Sequence, residues 1–392
     1  MKKGFAICSM LVIVLLLVQS CKIKKENERI IPVIDFGIDR TVCDHKLSDF
    51  ADSVSYIELE STTESYLGEI SDIKFTNDRI LVFDQKLQKV LLFTSNGKFL
   101  KQIGKKGKGP GEYPRAFTVG ISQQDNSIFV YSVGDKMLKY SESGIFINSI
   151  STKDKKILHF TTIDEEFVYA IAFPLTEFCG KYSLGIMDAF GKTTHSFLNR
   201  KQTNSSNPRS MICNTSFYCL HDSIYYWEYI YDTIYCLTNE KIVIPKWILD
   251  YGDNFVSKSA FSNIGVLNDE KRSGKLIVTR LIESRRYLFF IVLEDIRRKL
   301  VIYDKESEAL TELPPRDDIF YGIDNNIDKG PAFWPKYIVN DSIFACVIAP
   351  ENLIKLRNHS KTHDEFENLQ FQKILENVTL RSNHIIMKTH LK

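Results

Sequence analysis

One segment repeats itself at a fixed interval, and that limits what this chain can fold into more than any other feature. Arg79-Ile80-Leu81-Val82-Phe83-Asp84 reads as a strand; Lys89-Val90-Leu91-Leu92-Phe93, a Ser95-Asn96-Gly97 turn and Lys98-Phe99-Leu100 follow it. The same order returns as Ser127-Ile128-Phe129-Val130-Tyr131, Met137-Leu138-Lys139-Tyr140, a Glu142-Ser143-Gly144 turn and Ile145-Phe146-Ile147. Asn-Gly between apolar runs is a hairpin signal. Ile80 maps onto Ile128, 48 residues on, and Gly97 onto Gly144, 47 residues on. That interval is the length of one four-stranded propeller blade.

The repeat degrades but continues. Phe167-Val168-Tyr169 with Gly191 is a third copy, and Asp222 to Tyr226 with Asp232 to Tyr235 a fourth. Arg286 to Phe290 with Leu300 to Asp304 is a fifth, and Asp341-Ser342-Ile343-Phe344 a sixth. A blade buries both of its faces against neighbours, so a single copy does not stabilise itself and the ring must close. Val54 to Leu59 and His384 to Lys388 are the strands expected to pair and close it. Between the sixth copy and the last strand, Thr362 to Val378 has helical spacing, with Phe371, Ile374, Leu375 and Val378 on one face. It is expected to be an insertion on the rim, near residues 360–378. The class is therefore all-β, a propeller occupying residues 46–392, and spacing alone allows six blades or seven.

Gly104-Lys105-Lys106-Gly107-Lys108-Gly109-Pro110-Gly111-Glu112-Tyr113 resembles the glycine-rich junction of NHL-type repeats, which links consecutive blades. Asp232-Thr233-Ile234-Tyr235 followed by Pro245 to Gly252 is similar to a segment of six-bladed propeller lipoproteins of gut-type anaerobes, a group of uncharacterised function. The resemblance implies six blades.

The first 20 residues have a separate purpose. Lys2 and Lys3 precede an almost unbroken apolar run from Phe5 to Val18, a charged region and hydrophobic region of the kind that signals export. The run is shorter than the roughly 20 residues a spanning helix needs. Val18-Gln19-Ser20-Cys21 resembles the lipobox of bacterial lipoproteins, which implies cleavage before Cys21 and acylation of its sulfur. Residues 21–45 are then expected to be a tether to a membrane, with no protein surface needed for attachment. The basic Lys22-Ile23-Lys24-Lys25 replaces the acidic cluster that surface-exported lipoproteins of related bacteria carry there, which favours an outer-membrane protein facing the periplasm.

Composition narrows the chemistry. Removing the signal takes away Lys2 and Lys3 and no acid, which brings 51 basic residues to 49 against 49 acidic ones. A nucleic-acid binder needs a clustered basic excess, so that class is not expected. None of the cysteines after Cys21 stands in a Cys-x-x-Cys pair, which disfavours zinc ribbons and redox motifs. A disulfide among Cys213, Cys219 and Cys236 is possible in an oxidising compartment, and buried free thiols are the favoured reading.

The motifs that could carry chemistry have plainer explanations. The Gly104 to Gly111 loop lacks the Gly-Lys-Ser/Thr ending of a phosphate-binding loop and reads as tight turns between blades. His359 and His363 stand four apart beside Asp364 and Glu365 without a His-Glu-x-x-His, as solvated helix residues commonly do. His159, His195 and His221 are expected to be scattered over different blades. Asp84, Asp135, Asp188, Asp232 and Asp304 lie at or near strand ends, where aspartate usually serves turn hydrogen bonds. No Gly-x-Ser-x-Gly elbow is present. No cofactor or metal is expected. Tyr113 with Arg115, and Phe333-Trp334-Pro335, could form a binding rim because Trp, Tyr and Arg dominate binding hot spots. The favoured reading is a membrane-tethered scaffold that recognises a protein, peptide or glycan of the envelope through one propeller face. The alternative is a hydrolase or lyase with carboxylates or a metal on the axis.

Overall fold

Successive side chains of a strand point to opposite faces of its sheet, and in this chain both faces are apolar. Along β5 (Arg79–Asp84), Ile80 and Val82 enter one hydrophobic cluster while Leu81 and Phe83 enter another. Along β9 (Ile128–Ser132), Ile128 and Val130 join Leu81 and Phe83, whereas Phe129 and Tyr131 face a third cluster. A sheet that is apolar on both sides needs a neighbour on each. A ring supplies two neighbours to every sheet. The computed structural model shows that ring: six sheets forming a six-bladed β-propeller, with one hydrophobic cluster at each of the six interfaces. It describes residues 30–153, 155–171, 182–199, 215–228, 231–254, 275–294, 297–316, 321–359 and 367–392.

From inner to outer strand, blade 1 is β4 (Asp72–Phe75), β5, β6 (Lys89–Thr94) and β7 (Phe99–Gln102). Blade 2 is β8 (Ala116–Ile121), β9, β10 (Lys136–Tyr140) and β11 (Phe146–Ser151). Blade 3 is β12 (Ile157–Ile163), β13 (Glu166–Ile171), β14 (Tyr182–Met187) and β15 (Thr193–Asn199). Blade 4 is β16 (Thr215–Leu220), β17 (Ser223–Glu228), β18 (Thr233–Leu237) and β19 (Val243–Asp250). Blade 5 is β20 (Leu276–Glu283), β21 (Tyr287–Glu294), β22 (Arg297–Asp304) and β23 (Ala309–Glu312). Each of the six sequence copies falls in a separate blade, so the count is six and not seven.

Blade 6 closes the ring from both ends of the chain. β24 (Tyr337–Ile338), β25 (Ile343–Ile348) and β26 (Ile385–Leu391) come from the C-terminal part, and the outer strand β3 (Ala51–Glu58) from the N-terminal part. β3 runs antiparallel to β26, with Ile57 opposite Ile386 and Tyr56 opposite Met387, the pairing expected of these two segments. The turn glycine that marks each repeat has a steric reason. Gly97 and Gly191 hold φ of +86° and +84°, and a Cβ there would stand 2.1 Å from Glu58 O and 1.9 Å from Ser151 O. Each of these turns thus presses against the outer strand of the preceding blade.

The propeller begins earlier than the sequence reading places it. β1 (Val33–Asp35) adds to the outer edge of blade 4 parallel to β19, and β2 (Thr41–Val42) to blade 5 parallel to β23. Between them Arg40, 6% exposed, pairs with Glu294 at 2.7 Å and Glu312 at 3.2 Å. Residues 33–42 are therefore a strap on the ring rather than part of a tether.

The short α1 (Leu47–Phe50) precedes β3, and α2 (Pro350–His359) and α3 (Leu369–Asn377) lie between β25 and β26. Asn368 caps α3 by accepting from the backbone N–H of Gln370 and Phe371. Phe371, Ile374, Leu375 and Val378 are buried, as their spacing requires, and Phe371 stacks on Tyr56 with centroids 4.6 Å apart. α2 was not expected; Leu353 and Leu356 bury it in the same core, between blades 5 and 6.

The glycine-rich junction is a folded turn from β7 to β8. The backbone N–H of Tyr113 donates to Lys105 O, that of Gly107 to Tyr113 O, and that of Gly109 to the Glu112 carboxylate at 2.9 Å.

Candidate functional site

The inner strands of all six blades line one axial cavity of about 640 Å³. Alternation along these strands divides their residues between the cavity and the blade interfaces. In β4, Asp72 and Lys74 face the cavity while Ile73 and Phe75 are buried between blades. In β16, Thr215, Phe217 and Cys219 remain accessible while Ser216 and Leu220 are buried. The lining extends to the turns after the inner strands, where Asn77, Gln123, Asp222 and Asp341 stand. These turns are tied together. Gln123 donates to Phe75 O at 2.8 Å, and Gln124 to Asp164 at 3.0 Å. His221 of blade 4 meets Asp341 of blade 6, its backbone N–H at 2.8 Å and its ring Nδ1 at 3.0 Å, a clasp that skips over blade 5.

Charge is unevenly placed inside. Lys74 of blade 1, Arg280 of blade 5 and Lys336 of blade 6 all line the cavity, and these three blades are consecutive in the ring. Asp72 neutralises Lys74 at 3.0 Å. Among the described residues Arg280 and Lys336 have no ion pair; the Lys336 ammonium lies over the Tyr337 ring, 5.3 Å from its centroid. Burial, and then the Arg280 charge, hold the Lys336 pKa below its ordinary value. On the other side, blades 3 and 4 present His159, Thr161, Thr215, Phe217 and Cys219, with the His159 and Phe217 rings nearly parallel and 6.3 Å apart. Enclosure by the channel walls, followed by the Lys74 charge, lowers the His159 pKa to about 4, so the imidazole is neutral. Cys219 is solvent-accessible within the cavity, 3.8 Å from Thr161 Oγ1, and the same enclosure raises its pKa; it is a thiol and not a thiolate nucleophile.

The aspartates at strand ends do not reach this cavity. Asp84 is fully buried and accepts from the backbone N–H groups of Gly68, Glu69 and Leu87 at 2.7–3.0 Å. Asp135 pairs with Lys156 at 3.0 Å, and Asp188 accepts from Phe190 N and Lys192 N within its own turn. Asp232 accepts from Thr233, and Asp304 holds Arg286 through two bonds of 3.0 and 2.8 Å. All five are structural. The same is true of Glu283, 1% exposed, whose carboxylate accepts from Tyr218, Trp247 and Lys305 and joins blade 4 to blade 5.

The three residues expected on a binding rim separate. Tyr113 is fully buried with its hydroxyl donated to Ile103 O, and Trp334 is buried edge-on against Phe289 in the core between blades 5 and 6. Both pack the interior. His159 and His195, expected in different blades, both belong to blade 3. Arg115 is exposed, its guanidinium 5.5 Å from the Phe117 ring centroid. Cys43, Cys219, Cys236 and Cys346 are free thiols; Cys21 and Cys213 lie outside the described residues, as do His363 and the side chain of His359. Among the described residues no three His, Cys, Asp or Glu side chains are grouped to hold a metal ion. Sequence reasoning missed Lys74, Arg280 and Lys336. Lys74 and Arg280 had one local signal, a charged residue at an accessible position of an inner strand; Lys336 stands just before β24 and had none.

Fold and cavity together define a six-bladed propeller with an axial cavity lined from every blade. The chain belongs to a family described as a domain of unknown function (DUF4934), which matches residues 31–390. A protein of Bacteroides fragilis NCTC 9343 described as exported has the same fold, with a TM-score of 0.68, 15% identity, and coverage of 92% of this chain and 99% of that one. More distant are a member of the DUF4221 family from Bacteroides vulgatus (TM-score 0.44, 11% identity, 67% of this chain and 86% of that one) and BamB from Moraxella catarrhalis (TM-score 0.40, 12% identity, 64% and 66%). No curated protein matches the chain.

Proposed function

We propose that this chain is a lipid-anchored binding protein of the bacterial cell envelope, attached through Cys21, facing the periplasm, and recognising a peptide, glycan or protein segment in its axial cavity through one propeller face. The observation that carries this reading is the cavity itself. It is large enough for a small ligand or the end of a larger one, polar, and built from every blade. Its ionisable groups are of mixed type and do not assemble, among the described residues, into a nucleophile with its base or a pair of free carboxylates. The apolar run ending at Cys21 and the fold shared with a protein described as exported support the location.

The test has two arms. In cell fractionation, wild type should sediment with membranes and Cys21→Ser should not. Protein isolated from envelope under mild conditions should carry a ligand that mass spectrometry detects after denaturation. Thr161→Trp, which fills the cavity, should lose it. Recovery of the ligand in chemically unchanged form after long incubation fits a binding protein; its conversion to product would replace this reading with an enzyme.

A further inference from the structure

We infer that the axial cavity takes a hydroxylated, sugar-sized ligand bearing an oxyanion, and that Arg280 and Lys336 hold the anionic group. This rests on the reading of the cavity as the binding site and adds the ligand's chemistry. The first support is placement. Cations come from blades 5, 6 and 1, side by side, and face a wall of hydroxyl, thiol and aromatic groups from blades 3 and 4. Such a cavity distinguishes the two sides of its occupant: charge on one, hydroxyls and a ring face on the other.

The second support is cost. Arg280 and Lys336 line the same cavity, close enough for one charge to disfavour the other; among the described lining carboxylates Asp72 is engaged by Lys74 and Asp341 by His221, and Asp222 stands on a turn beyond the inner strand. Like charges held together in a partly desolvated channel oppose folding, and a structure keeps them at a site where an opposite charge arrives. Burial is the main cause that keeps His159 neutral, and the Lys74 and Arg280 charges add to it. An oxyanion between Arg280 and Lys336 relieves both cations. Guanidinium and ammonium together also favour a planar or tetrahedral oxyanion through charge-assisted hydrogen bonds.

Carboxylate and phosphate share this chemistry, so the test uses both. Purified protein in low-salt buffer at pH 7 is titrated calorimetrically with galacturonate, glucuronate, inorganic phosphate and neutral galactose. At least one anion should bind, galactose should bind at least about tenfold more weakly, and added salt should weaken the anion. The double variant Arg280→Gln, Lys336→Met should lose about tenfold or more in affinity. Uronate binding without phosphate binding assigns the ligand to acidic sugars, and the reverse assigns it to phosphorylated ones. NMR titration of His159 checks that the variant is folded with its channel intact, because loss of the Arg280 charge should move that imidazole up from about 4. The inference is overturned if none of the three anions binds at 10 mM, if galactose binds equally, or if the folded double variant binds as wild type does. Should that happen while Thr161→Trp still loses the native ligand, only the oxyanion assignment falls and the binding function stands.

Discussion

Asp84 shows how a residue that looks chemical in the sequence becomes structural in the fold. It ends a strand and carries a carboxylate, yet that carboxylate is enclosed and filled by three backbone donors that fix the chain entering blade 1. Asp84→Ala strands those donors, and denaturant unfolding should show a loss of about 2–3 kcal/mol with ligand affinity unchanged in the protein that remains folded. His159 behaves in the opposite sense: a plain histidine in the sequence, it reports the field of the channel. Its folded pKa of about 4 lies below the ordinary 6.5, so the unfolded chain takes up the proton first. The stability this contributes is complete above pH 6.5 and is lost as pH falls from there to about 4. His159 is partly accessible from the cavity, so the effect should be about 1–2 kcal/mol rather than the full value of the shift. His159→Gln should remove that part of the pH dependence of urea midpoints. The groups that face the ring are Lys74, Asp72 and Arg280; Arg280→Gln should narrow the window from its acid side.

At the scale of elements, the legibility of the sequence followed locality. Hairpins marked by Asn-Gly or Ser-Gly turns, and a helix with four apolar residues on one face, were readable because both partners of each contact lie within a few residues. The strap was not. β1 and β2 are three and two residues long and pair in parallel with strands more than 200 positions away, so nothing near them announces a partner. Its anchor is Arg40, held by Glu294 and Glu312, which also meet Lys299 at 2.5 and 3.2 Å. Arg40→Ala leaves two partly buried carboxylates with one cation and should cost about 1–3 kcal/mol. Hydrogen exchange should then show faster opening of residues 33–42 and of the outer edges of blades 4 and 5, with blades 1 and 2 unaffected. Equal opening throughout would mean that the strap is not a separate unit. Tyr113 and Trp334 were misjudged for a related reason: a large aromatic beside turn residues can cap a rim or plug a core, and only the neighbouring blade decides which.

The molecule as a whole is governed by closure. Every blade contributes one face to each of two interfaces, and β3 and β26 join segments from opposite ends of the chain in blade 6. A chain ending before Ile385 loses the strand that β3 pairs with and exposes both faces of the gap. It should lose cooperative unfolding altogether rather than behave as a five-bladed propeller; a sharp thermal transition in that truncation would contradict the ring as the folding unit. The fold was legible because it is written once per blade. The cavity was not, because each blade supplies it with only a few side chains, and Lys74, Arg280 and Lys336 acquire meaning only when the ring brings blades 5, 6 and 1 together. The measurement to make on this point is a crystal structure of the full chain grown with selenate, located by its anomalous scattering. A peak in the axial channel within hydrogen-bond reach of Arg280 and Lys336 is the predicted result. An empty channel, with selenate only on outer lysines such as Lys106 and Lys108, would contradict it.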